Sequence, residues 1–323
     1  MATSLDTAIS PDHAEHAARS GTRKGGGGGI SLTDLWLLLT VVIWGANYAV
    51  VKYGTNHMDA LAFNGVRIVL ATVAFGVLAL VGRWRGAGGR AARPIARRDV
   101  IALLALGVLG NCVYQTLFAE GVAQTRAGSA ALLLSASPAL IAVIGRWFGI
   151  EHIGMRGYAG VALSMAGIAF VVLGSTAHAA VGGSLVGDAI VLCAAVCWAL
   201  YTVLLEPLTH RVSLIDLSAL TLVGGAVPLL IISAPAFLAT SWDRVSLLTW
   251  GAILYAGIAS LVIGYLGWYH AVRMIGPTRT AIYSNLQPVV ALLVAWAMLG
   301  EVPASWQGAG AIAIIAGVIL TRT

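Results

Sequence analysis

Residues 284–317 read SNLQPVVALLVAWAMLGEVPASWQGAGAIAIIAG, and 150 residues earlier residues 134–167 read LSASPALIAVIGRWFGIEHIGMRGYAGVALSMAG. Pro138, Glu151, Gly160 and Gly167 recur at identical spacing as Pro288, Glu301, Gly310 and Gly317. Further upstream, Asp34 stands ten residues before Trp44 and Asp188 ten before Trp198, at an offset of 154. The chain is one unit of roughly 150 residues written twice.

The material of that unit follows from composition. Of the 323 residues, 59% are hydrophobic and only 10% charged, with a mean hydropathy of +0.89, far from the soluble average. Apolar stretches near the length a helix needs to cross hydrocarbon recur throughout, at 32–51, 60–82, 100–123, 127–148, 155–174, 185–206, 214–235, 247–273, 279–299 and 304–321. Long continuous runs without alternation of apolar and polar positions favour helices over barrel strands. The expected class is an all-α polytopic membrane protein with ten transmembrane helices.

Residues 1–31 carry scattered charges and the glycine run Gly25–Gly29, which reads as a disordered cytoplasmic tail. It holds no apolar core of a cleavable signal, so the first span is expected to direct insertion. Cys112, Cys193 and Cys197 lie inside predicted spans and match no zinc or redox spacing. Neither a disulfide, a metal nor a cofactor is expected.

The net charge of +6 points to membrane topology rather than to nucleic acid. With the N-terminus in the cytoplasm, fifteen of the nineteen basic residues lie inside, six of them in the 83–98 loop. Lys52, Arg126 and Arg244 lie outside and Arg67 falls within the second span. A multi-pass protein of the cell inner (plasma) membrane with both termini cytoplasmic is therefore expected. Five spans per unit is an odd number, so the second unit enters from the opposite face and the two form inverted five-helix repeats, over 32–174 and 185–321. Glu151 and Glu301 then sit at equivalent places on opposite faces.

Asn285, Leu286, Gln287 and Pro288, followed by Leu299, Gly300, Glu301 and Gly308 through Gly317, resemble the EamA domain of the drug/metabolite transporter superfamily. Trp268 to Met274, with Gly276 and Thr278, fits the turn between helices 8 and 9 of that family. Trp44, Gly45 and Asn47 resemble its helix 1 pattern, and the first copy is looser, with Ser137 where the second has Gln287. The resemblance spans about residues 32–321. It implies ten helices, both ends cytoplasmic, and often export of amino acids or other small metabolites.

Ionisable groups in a span cost about 2.5–3.5 kcal/mol at a helix centre, so Arg67 and Glu120 require a reason. Arg67 is either clamped structurally or contacts a substrate carboxylate or phosphate. Glu120 either reaches the interface or couples protons. Asn47 and Gln115 fall at comparable depth, and the four together would form a pocket able to hold a zwitterion. In the other half Tyr201, Thr221, Tyr265 and His270 are the counterparts, His270 aligning with Glu120 at an offset of 150. His270 is either a coupling group or a hydrogen-bonded interfacial residue. Trp44 and Trp198 either stack on substrate or pack. Pro138 and Pro288 each remove a backbone hydrogen bond and act as hinges or static bends, beside Ser135, Ser137, Asn285 and Gln287. On helix 10, Ala309, Ala313 and Gly317 are spaced for close packing.

No Walker-type phosphate loop, Rossmann glycine pattern, G-x-S-x-G elbow or H-E-x-x-H pair is present, which argues against ATP-driven transport by this chain and against an intramembrane enzyme. The leading expectation is a secondary transporter that moves a small organic metabolite outward by alternating access. A channel or membrane scaffold is the alternative with the same topology. The expected partners are a small-molecule substrate and the bilayer, with no nucleic acid; the sequence is silent on oligomeric state.

Overall fold

The computed structural model describes residues 32–84, 95–149, 154–177 and 184–320. Among them all regular structure is helical and no strand occurs. The helices are α1 (Leu32–His57), α2 (Ala60–Trp84), α3 (Arg97–Gln124), α4 (Ala127–Trp147), α5 (Met155–Ala177), α6 (Leu185–Thr209), α7 (Leu214–Ala239), α8 (Leu247–Ile275), α9 (277–299) and α10 (Ser305–Leu320). Seven of them, α1 to α4 and α6 to α8, are long and apolar enough to cross a membrane. The apolar segments Met155–Val171 and Gln287–Leu299 are shorter.

Local chemistry sets the helix starts. Ser184, Ser213 and Ser246 precede α6, α7 and α8, and each hydroxyl accepts a hydrogen bond from the backbone N–H three residues on, relieving a donor the first turn leaves unpaired. The α9 terminus is closed by Gly300 at φ +66°, with the Glu301 N–H returning 3.3 Å to the carbonyl of Ala295. That turn aims Glu301 at the next packed element. Its carboxylate accepts from the N–H groups of Ala127 and Gly128 at 3.3 and 3.4 Å, where the positive end of the α4 dipole lies. Arg126 lies 3.9 Å from the same carboxylate and donates to the carbonyl of Val302 at 2.8 Å. Its sequence counterpart Glu151 lies outside the described residues, as does the 1–31 tail.

Among the described residues two helices contain π-helical turns. The segments Val108–Val113 of α3 and Tyr255–Ile263 of α8 are π-helical, and the first matches the end of the second at an offset of 150. The prolines also stand differently from expectation. Instead of interrupting a continuous helix, Pro138 and Pro288 sit in the first turn of helical segments that restart at Ser137 and Gln287. Their missing N–H is there an unpaired donor anyway, so no intrahelical bond is lost. The breaks fall just upstream, at Ser135–Ala136 and over Ser284–Leu286.

Helices α2 and α7 pack together, as do α3 and α6, and α5 and α10. In the last pair a Cβ at Gly317 would meet the carbonyl of Gly160 and the N–H of Ser164 at 2.5 Å. Gly167 in turn faces Ala313 and Ile314. The ladder on α10 thus interlocks with glycines on α5, because only small residues allow backbones this close. Large apolar side chains such as Leu39, Val77, Ile231, Leu293 and Ile312 point outward, the inverse of a soluble surface.

Candidate functional site

A pocket of about 550 Å3 of empty volume lies between α1, α2, α3, α4, α6, α8 and α9. Among the described residues its single charged lining residue is Arg67, and none of their Asp, Glu, Lys or His side chains borders it.

Arg67 is 0% exposed. Its Nε donates to Oδ1 of Asn64 at 2.8 Å, one helical turn away on α2, and Nη2 donates to Oε1 of Gln115 at 2.6 Å. The guanidinium lies 5.5 Å from the Phe118 ring centroid and 6.0 Å from that of Phe63. Among the described residues Nη1 has no hydrogen-bond partner. A buried cation satisfied only by amides and ring faces, with both N–H groups of Nη1 left over, is costly unless an anion completes it.

Gln115 continues the network. Its amide nitrogen donates to the Tyr265 hydroxyl at 2.8 Å, and Tyr265 donates to Oδ1 of Asn111 at 3.1 Å. Tyr201 is fully buried and bonds Tyr269 at 2.5 Å, outside the pocket lining. On α1, Asn47 lines the pocket and its Oδ1 accepts no hydrogen bond from the described residues. The pocket therefore presents an unpaired donor on a cation and an unpaired neutral acceptor.

Aromatic rings form the remaining walls. Trp44 stands at 86° to Trp198 and at 87° to Tyr265, with centroids 5.6 and 6.2 Å away, and Trp268 lies 5.2 Å from Trp44. Trp44 is held in place because its Nε1–H donates to the carbonyl of Ser260 at 2.9 Å, inside the π-helical segment of α8. A π turn shifts the backbone bonding register, which leaves such a carbonyl available to a side chain. Gln287 lines the pocket at the α9 restart, with Oε1 3.5 Å from the Tyr48 hydroxyl.

The structure thus brings Trp44, Asn47, Arg67, Gln115, Trp198, Tyr265 and Gln287 to one pocket. Glu120 is partly buried on α3 and does not line it; neither does His270 on α8. The side chain of Asn285 lies outside what is described. Ser137, next to Pro138, borders the pocket, and so does Ser284, four residues before Pro288. Tyr48, Asn111, Tyr114, Phe118, Ser260 and Trp268 complete the site or its supports without having been singled out as site residues in the sequence. The mid-span amide of Asn111 was a readable signal, since a polar side chain there needs partners. The aromatic residues carried none that separates them from packing.

A model of the EamA-like transporter family matches residues 31–173 and again 185–323. An "Uncharacterized transporter" of Archaeoglobus fulgidus is 26% identical over 265 residues, covering 82% of this chain and 89% of its own. A "Probable terminal-alkyne amino-acid exporter" of Streptantibioticus cattleyicolor is 28% identical over 88% of this chain and 91% of its own. A "Probable amino-acid metabolite efflux pump" of Salmonella typhimurium is 28% identical over 88% and 92% respectively. A solved crystal structure superposes with a TM-score of 0.62 over 91% of this chain and 97% of its own, at 18% identity, which speaks for the fold alone. Two copies of the family pattern on an apolar helical chain lead to one assignment: the chain belongs to the EamA-like transporter family, a multi-pass membrane transporter rather than an enzyme.

Proposed function

We propose that this protein is a secondary carrier that exports a small organic metabolite bearing a carboxylate, an amino acid or a close derivative, by alternating access. Arg67 carries the reading: among the described residues it is a fully buried cation with Nη1 unpartnered and the only charge lining the pocket. A substrate carboxylate completes it, while Asn47 Oδ1 accepts from the substrate's ammonium and the Trp44, Trp198 and Tyr265 faces attract the same positive charge. The similarity to proteins named as amino-acid exporters agrees with this chemistry and motivates the outward direction.

The carrier consists of ten spans in two inverted five-helix repeats, 32–174 and 185–321, with both termini cytoplasmic in the plasma membrane. Support comes from pairs of features at the offsets of the two copies. The π-helical turns of α3 and α8 correspond, and so do the helix breaks before Pro138 and Pro288. A Cβ at Gly107 would run into the backbone of Thr221, and one at Gly257 would lie 3.0 Å from the carbonyl of Arg67. Gly107 and Gly257 are equivalents at 150, and Arg67 and Thr221 at 154. Pocket residues come from both copies, so rocking of one against the other changes access to the site.

Purified carrier in vesicles, preloaded with labelled amino acids, tests this. The expected result is saturable efflux that accelerates when unlabelled substrate is placed on the opposite side. Strong nonsaturable flux without such acceleration would point instead to a channel.

A further inference from the structure

The Nε edge of Arg67 is occupied by Asn64, which leaves the edge formed by Nη1 and Nη2 for a planar anion. Nη1 has no partner among the described residues, and one N–H of Nη2 is taken by the side-chain oxygen of Gln115 at 2.6 Å. A carboxylate brought to that edge competes with the neutral Gln115 oxygen for Nη2 and, being charged, is the stronger acceptor. Gln115 is also bonded through its amide nitrogen to the Tyr265 hydroxyl at 2.8 Å, so displacement breaks that bond as well.

Gln115 and Tyr265 are equivalents, 150 residues apart. Two positions related by a two-fold axis touch one another only on that axis. Their bond therefore joins α3 of the first copy to α8 of the second at the midline about which the copies rearrange. Both side chains are buried, at 3% and 2% exposure, so the bond is made in a low-dielectric setting that strengthens it.

We propose that Gln115 is an internal stand-in for the substrate's carboxylate and that its bond to Tyr265 locks the two copies in the unloaded carrier. Loading releases the lock by taking Gln115's place on Arg67. The empty carrier then returns slowly, and exchange outpaces net efflux. This inference rests on the inverted repeats and on Arg67 as the anion anchor.

Spin labels at positions 57 and 244, both bordering a second pocket near the α1–α2 connection and the start of α8, report the rearrangement as a distance distribution. The background has Cys112, Cys193 and Cys197 replaced by Ser. Ligand-free wild type is expected to show one dominant distance. Tyr265→Phe and Gln115→Ala cut the same bond from opposite ends, so a folding failure in one leaves the other. Each should move the ligand-free population ratio toward a second distance by about threefold to twentyfold, the range for an interhelical hydrogen bond in a membrane. Gln115→Glu places a permanent carboxylate against Arg67 and should abolish the response to glycine, the smallest zwitterionic probe. A wild-type ratio in both Tyr265→Phe and Gln115→Ala, or a ligand-free wild type populating both distances equally, overturns the lock. Glycine tests the anchor separately: wild type should shift to the second distance and Arg67→Gln should not. A shift retained in Arg67→Gln, or absent from wild type, removes the stand-in role and the anchor with it, whereas the ligand-free ratios still decide the lock.

Discussion

Replacing Arg67 by Gln separates a binding cation from a structural one. Among the described residues Arg67 makes two side-chain hydrogen bonds, to Asn64 and Gln115, and Nη1 has neither a partner nor a salt-bridged carboxylate. Charge-assisted bonds contribute about 1.5–3 kcal/mol each, so their loss costs about 3–6 kcal/mol. Against this stands the desolvation of a fully buried guanidinium, an effective penalty of several kcal/mol that the variant no longer bears. A glutamine at position 67 also restores part of the amide network. The two effects nearly cancel, and folded yield and thermal midpoint should stay close to wild type. Ligand binding loses its one cationic partner, about 1.5–3 kcal/mol, or roughly tenfold to hundredfold in affinity. The assay is a thermal-shift screen of detergent-purified protein against amino acids, amines, nucleosides and sugar phosphates, followed by titration of the strongest ligand with wild type and variant. If Arg67→Gln loses yield and midpoint as steeply as affinity, Arg67 is a structural clamp and the anchoring role is wrong. If it binds the wild-type ligand unchanged, the pocket does not use its charge.

Other perturbations test separate elements. Gly317→Leu drives a side chain into the backbone of Gly160 and Ser164 and should destabilise by about 3 kcal/mol or more, read as loss of monodisperse protein in size-exclusion chromatography; wild-type yield would refute the α5–α10 contact. Glu301→Gln removes the negative charge from the α4 N-terminus and from Arg126, and should lower thermal stability by about 1 kcal/mol while ligand affinity is unchanged. Glu120→Gln should leave ligand affinity at the wild-type value, because Glu120 does not line the pocket. If Glu120 couples protons, that variant keeps exchange but loses pH-driven accumulation in vesicles; unchanged pH dependence removes the coupling role.

The helical membrane class was legible from the apolar runs, because hydrocarbon demands long uninterrupted segments and admits few charges. For the same reason Arg67 stood out: a guanidinium in a span is too costly to be incidental. Depth along a helix was readable too, which grouped Asn47, Arg67, Gln115 and Glu120 at one level. The face each presents was less so. Successive residues turn by roughly 100°, and interhelical packing sets which direction faces the pocket. Gln115 and Glu120, five residues apart, consequently part company, and His270 points away although Tyr265 lines the site. The repeat offset marked Gln115 and Tyr265 as equivalents, yet nothing along the chain said that they touch. Their bond exists because α3 and α8 meet there, each just past a π-helical turn. The residues 134–167 and 284–317 thus dictated the membrane-spanning unit and its duplication, since the requirements of hydrocarbon act on each segment independently. Which side chains converge on Arg67 was settled by contacts between helices up to 150 residues apart, a relation that no local pattern encodes.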